Sequence, residues 1–444
     1  MKRYLAVAAA LALQFGPSPV AAAAPAPSPT ALLRFPEALP FALGSMQYVA
    51  ENEADAAVSG VQIFVDAGLD RETSSTGGVA ALVAECILRT PARGTVAAPA
   101  LKDVVAAQGG SLTYTVDGRS VHYYLEARSE KLSALVKLFG VALAAPDFSS
   151  ATIAAGRVSL DNRIADLEQN ALSVGIQMFR RSFYVSAAGG AALGSATTLA
   201  ALSSRDLSAF HAANYKRGAI SASAVGRLAP DLGQALAAVV KALPDGTLVP
   251  IAQTAKSIPL VPPRIVAHRD VSAPWIVVGF AAPSPASADF GAMLILQPLL
   301  ADAFERSSAT TPGFVEKAVG AFYLYDSAPA SVVVYVNGSQ VDPALALREL
   351  LAVSRSLSLK PLGAEPLRRF KAAAEGQFVT DSLSVSDRAY MLGAFSSQGL
   401  GSDPINAALA ALERTTPADV QRVAKTYLQR YIVALVLPRQ SGGQ

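Results

Sequence analysis

The feature that most constrains this chain is that it carries one pattern twice. The phrases "SSRDLSAFHAANYKRGAISASAVG" and "TPADVQRVAKTYLQRYIVALVLP" each run a short capped helix into an apolar, β-rich segment. In both, an aspartate at the helix start (Asp206, Asp419) is followed by a branched apolar residue, a helical stripe and a tyrosine (Tyr215, Tyr427). The offset is 213 residues, 419 − 206. The stretches "SGVQIFVDAGLDRETSSTGGVAALVAECIL" and "APWIVVGFAAPSPASADFGAMLILQPLLADAF" match in kind, each a strand, a polar loop and an apolar helix. Two copies of one α/β unit is the simplest account. Leu243 to Pro263, "LPDGTLVPIAQTAKSIPLVPP", is proline-rich and lacks helical period, as a linker between the copies should. In the first copy the order is two strands, two helices, two strands and a long helical region. That order fits an α+β sandwich, a sheet packed with helices.

A chain of 444 residues exceeds one ordinary core, which agrees with two domains. Beyond the N-terminus no run of about 18 uninterrupted apolar residues indicates a membrane span, so a soluble protein is expected. The formal net charge is +3, and the basic residues form no stripe, so nothing argues for nucleic acid. Lys2 and Arg3, the apolar "YLAVAAALALQFG" and the small-residue "PVAAAAPAP" form a signal-peptide pattern cut near Ala22 to Ala24. The expected organisation is a signal peptide over 1–24, a leader over 25–34, domains over 35–242 and 264–440, and the linker over 243–263. Cys86 is the single cysteine, so no intramolecular disulfide forms and the cores must supply stability. An exported, periplasmic protein is the expectation.

The order of the phrases "GGVAALVAECIL", "GGSLTYTVDGRSVHYYLEA" and "APDFSSATIAAGRVSLDNRI", with the two closing phrases above, resembles the M16 metallopeptidases, the pitrilysin or insulinase family. The resemblance spans nearly the whole mature chain. It implies two homologous α/β sandwich domains, each a mostly antiparallel sheet packed with helices, forming half of a clamshell around a peptide. It also implies zinc, held by an inverted H-x-x-E-H motif on the first long helix and by a distant glutamate. Laid on "GGVAALVAECIL", the motif puts Ala81 at the first histidine, Ala84 at the glutamate base and Glu85 at the second histidine. The distant ligand falls on Asn162, beside Asp161. The family's second catalytic input is an arginine and a tyrosine seven positions apart, and the corresponding positions are Val315 and Phe322. Tyr323 stands one residue off, and Arg306 could reach inward across an inserted loop.

No replacement chemistry emerges. His122, His211 and His268 have no histidine or cysteine at ligand spacing. Cys86 lies on the apolar side of its helix, as a buried inert thiol would. Glu85 either faces the chamber or pairs with Arg89 at i+4. No G-x-S-x-G elbow or phosphate-binding loop is present. By resemblance, the chain is expected to be a catalytically inactive subunit, without a cofactor of its own, paired with a zinc-bearing M16 chain in a peptide-degrading chamber. The alternatives are a scaffold or peptide-binding protein acting without a peptidase, and an active enzyme with unusual zinc ligands. A bound peptide would add as a strand to a sheet edge.

Overall fold

The computed structural model describes residues 35–43, 46–92, 98–184, 192–248, 258–259, 261–309, 317–325, 329–339, 341–401 and 403–439. The expected signal peptide and leader, and residues 249–257 and 260 of the linker, lie outside the described residues. Two mixed sheets are packed with helices, as the repeat requires. The first has the strand order β1 (Leu39–Leu43), β2 (Met46–Asn52), β6 (Ile220–Gly226), β3 (Val58–Val65), β5 (Val121–Arg128), β4 (Ser111–Val116). The second runs β7 (Arg264–Arg269), β11 (Tyr431–Pro438), β8 (Trp275–Ala281), β10 (Ser331–Gly338), β9 (Lys317–Leu324). One pairing in each is parallel, β2 with β6 and β7 with β11, and the rest are antiparallel.

The sequence offset reappears in the strand registers. Phe64 pairs with Ser221 and His122; Val277 pairs with Ala434 and Tyr335. Each of the second trio follows its counterpart by 213 residues (277 − 64, 434 − 221, 335 − 122). The three central strands of the two sheets are therefore copies in register as well as in pattern. The capped helices also repeat. Ser203 and Asp206 form a reciprocal capping box on the helix Ser204–Asn214, and Thr416 and Asp419 form one on Pro417–Tyr427. Each box satisfies backbone donors that a helix start leaves orphaned.

The first core lies between one face of the first sheet and the helices α1 (Val79–Arg89), α2 (Leu101–Ala107), α3 (Ser129–Ala144) and α4 (Ser150–Gln169), with Ile63, Leu82, Leu135 and Leu160 inside. The alternate residues of that sheet, Gln62, Phe64 and Ser223, face a helix from the other half of the chain. The helix α5 (Ala171–Phe183) follows α4 but lays Leu172, Phe179 and Phe183 against Val277, Val333 and Ile432 of the second sheet. Conversely, Val385–Ser397 comes from the second half and covers the first sheet: Ser223 donates to the Ala389 carbonyl at 2.5 Å. The two halves thus exchange a helix. Across this junction Arg388 pairs with the fully buried Glu51 of β2 at 3.1 Å and also with Glu53, just after that strand. Among the described residues no helix is long and apolar enough to cross a membrane.

Candidate functional site

The helix α1 is built to be buried all round, since every residue from Val79 to Leu88 is buried. Its start is fixed from outside. Gly78 sits at φ 90°, and a Cβ there would stand 2.8 Å from the Leu193 carbonyl, so glycine alone fits. The buried Glu72 carboxylate accepts from the backbone N–H groups of Gly78 and Ala80, both at 3.0 Å, closing the first turn against the helix dipole. Burial pushes the Glu72 carboxyl up to about 7, with the two backbone bonds opposing the shift.

Glu85 is the one charged side chain in the buried part of this helix, and it is fully engaged. One oxygen pairs with Arg89 a turn on; the other accepts from the Tyr114 hydroxyl at 3.0 Å, from Ser159 at 3.2 Å and from Arg163 at 3.4 Å. The choice between a chamber-facing carboxylate and an i+4 pair is settled as a pair within a larger network. Arg163 lies over the Tyr114 ring, 4.7 Å from its centroid. Three elements, α1, α4 and the edge strand β4, meet on one carboxylate. Burial raises the Tyr114 hydroxyl well above its usual range, the neighbouring Glu85 charge adding to it, so Tyr114 remains a donor.

Ala81 and Ala84 are fully buried and carry no donor atoms. Asn162 corrects the register expected for α4: it is exposed, and the positions that reach Glu85 are Ser159 and Arg163, 74 and 78 residues on. Gly156 lets α4 come this close, since a Cβ there would already stand 3.0 Å from Leu82 and 3.4 Å from the Glu85 Cβ. Helical period would have found Arg163. The buried Leu160 lies three residues before it, on the face toward α1, whereas Val158, one turn before Asn162, is 61% exposed.

The other expected positions lie apart. Val315 falls outside the described residues. Phe322 is half-buried on β9, stacked on Tyr335 with ring centroids 5.5 Å apart. Tyr323 is buried on the opposite face, its hydroxyl bonded to the Pro283 carbonyl. Arg306 does not reach inward but pairs with Asp302 at 2.6 Å on the surface. His122 is buried between Phe64 and Tyr390, and burial lowers it to about 3. His211 bonds the Leu143 carbonyl at 2.8 Å, and His268 meets that of Pro438 at 3.2 Å. The Cys86 thiol is pushed up to about 12 by burial, with the Glu85 charge adding to the effect. Among the described residues no three His, Cys, Asp or Glu side chains come together as metal ligands. Zinc does not fit here: the first ligand position and the base position are alanines, Asn162 is exposed, and the carboxylate at the second ligand position is held by two guanidinium groups that repel a cation.

Fold and site together define a class, a two-sheet α+β chain whose first long helix is buried all round and carries its one buried charge in an ion-pair network. Residues 47–193 match the model of insulinase, peptidase family M16. Two solved structures share the fold over almost the whole chain. One is a protease from Helicobacter pylori, 15% identical, with a TM-score of 0.79, covering 91% of this chain and 100% of that one. The other is a peptidase M16 inactive domain from Pseudomonas fluorescens, also 15% identical, with a TM-score of 0.78, covering 92% and 100%. No curated protein matches the chain.

Proposed function

We propose that this chain is the non-catalytic subunit of an exported, periplasmic M16-type peptidase, pairing with a chain that carries the zinc and closing with it around peptide substrates. The observation that carries the reading is Glu85. It stands where the second zinc-binding histidine would, and its two oxygens are occupied by Arg89, Tyr114, Ser159 and Arg163. The fold is retained around it, as in the inactive-domain neighbour. The surface left to this subunit is peptide holding. β4 ends the first sheet and lies beside the Glu85 network through Tyr114, with Ser111, Thr113 and Thr115 exposed along it. An extended peptide added there would gain main-chain hydrogen bonds without any catalytic group from this chain.

The test is purification of the tagged full chain from its native envelope fraction. A copurifying zinc-bearing M16 chain is expected, with chelator-sensitive peptide cleavage in the complex and none by the isolated subunit. Purification without any such chain would replace the heterodimer by a scaffold. One zinc per isolated chain with chelator-sensitive turnover would overturn the inactive reading.

A further inference from the structure

The network that displaces the metal leaves one positive charge over. Arg89 and Arg163 share the single carboxylate of Glu85. The next charges out do not restore the balance toward acid. Arg157 is occupied by the carbonyls of Leu199 at 3.0 Å and Leu202 at 2.5 Å, and Asp147 holds Ser149 and Thr152. This outer pair cancels.

The surplus is not shared evenly. Arg89 is the tighter partner, taking one Glu85 oxygen, and its side chain is only 15% exposed. Arg163 meets the other oxygen at 3.4 Å, where Tyr114 and Ser159 already donate, and its side chain is 34% exposed. Its guanidinium lies over the Tyr114 ring, so it is positioned at the end of the first sheet and not free to sweep. A guanidinium with spare donors, stacked and partly desolvated, is suited to a planar carboxylate.

From this geometry we propose that the former metal position is a carboxylate-binding subsite, with Arg163 as the contacting group, for an aspartate or glutamate side chain of a peptide extended along β4. The proposal rests on the peptide-holding reading above and adds a substrate class, acidic peptides. Charge complementarity selects the occupant. A cation at this point would meet Arg89 and Arg163, and an apolar side chain would leave the Arg163 donors unmet.

The test compares two fluorescein-labelled extended peptides that differ only in a central Asp or Asn, by fluorescence anisotropy against the full chain. The Asp peptide is expected to bind about three- to tenfold tighter at low salt, the advantage shrinking as salt rises. In Arg163→Gln the Asp and Asn peptides are expected to bind alike, and Arg163→Lys retains part of the Asp advantage; matched circular dichroism and melting establish that both variants fold. Equal binding of the two peptides to the wild-type chain, or an Asp preference that survives Arg163→Gln, overturns the subsite and leaves strand-edge binding standing. If neither peptide binds, strand-edge holding fails, and the subsite with it.

Discussion

At the scale of single residues, a lone buried carboxylate is tolerable only because it is paired. Glu85 is 4% exposed and takes contacts from four side chains, and removing it would strand the largely buried Arg89 guanidinium and the buried Tyr114 hydroxyl and leave the partly exposed Arg163 without its carboxylate. Breaking a buried pair from one side costs about 3–5 kcal/mol, because the surviving charges lose their compensation. Glu85→Ala should therefore lower unfolding free energy by about that amount, measured by urea titration with the slope unchanged; a loss under about 1 kcal/mol would mean the network is solvated and weak. Sequence disclosed part of this. The i+4 spacing of Glu85 and Arg89 is visible, and so is the absence of histidines from the helix. Tyr114, Ser159 and Arg163 come from a strand and a second helix, and their convergence depends on how α4 is rotated. Asn162, the position the resemblance implies, lies one turn beyond the exposed Val158 and so on the solvent face of α4.

Helices and strands tell a different story, because local pattern identifies an element without saying which partner it covers. The alternation in "SLTYTV" and the apolar run "WIVVGFA" mark strands, and both are found as such. The apolar face of Ala171–Phe183 marks a helix equally well, yet nothing in its period says that it packs on the sheet of the other half. The physical signal is steric and nonlocal: glycines stand where large rings arrive. A Cβ on Gly279 of β8 would meet the Phe179 ring of α5 at 2.2 Å. A Cβ on Gly393, in the helix Val385–Ser397, would meet the Phe64 ring of β3, also at 2.2 Å. Each exchanged helix is thus seated by a phenylalanine on a glycine. Gly279→Ala and Gly393→Ala should each destabilise by about 1–3 kcal/mol through overpacking. Adding Phe179→Leu to the first, or Phe64→Leu to the second, should cost less than the sum of the single changes. Strict additivity in a double-mutant cycle would show that the contacts do not fix the helices.

For the whole molecule, exchange of helices makes the halves one cooperative unit despite the proline-rich stretch between them. The repeat, the two sheets and their order of elements were legible because patterning repeats along the chain; the shared interior was not, because it joins residues hundreds of positions apart. That interior contains Glu51, fully buried on β2 and facing Arg388 across the junction, with Glu53 on the same arginine and Asp403 near enough to raise it further. Burial is the largest influence on Glu51 and lifts it to about 7, against the attraction of Arg388. Glu72 at the start of α1 stands equally high for the same first cause. A carboxyl raised in the folded state and ordinary in the unfolded one binds more protons when folded between about pH 4.5 and 7. Its stabilising contribution is complete below that window and is lost as pH rises through it, at no more than about 1.4 kcal/mol per pH unit for each group. The full chain should therefore unfold in a single transition whose midpoint falls as pH rises from about 5 to 8. Glu51→Gln keeps the shape without the charge and should flatten that fall and raise the midpoint at pH 8, since Glu53 still pairs with Arg388. Calorimetric scans across this range decide it: two separable transitions would dissolve the single unit, and a Gln variant running parallel to wild type would remove Glu51 as the titrating group.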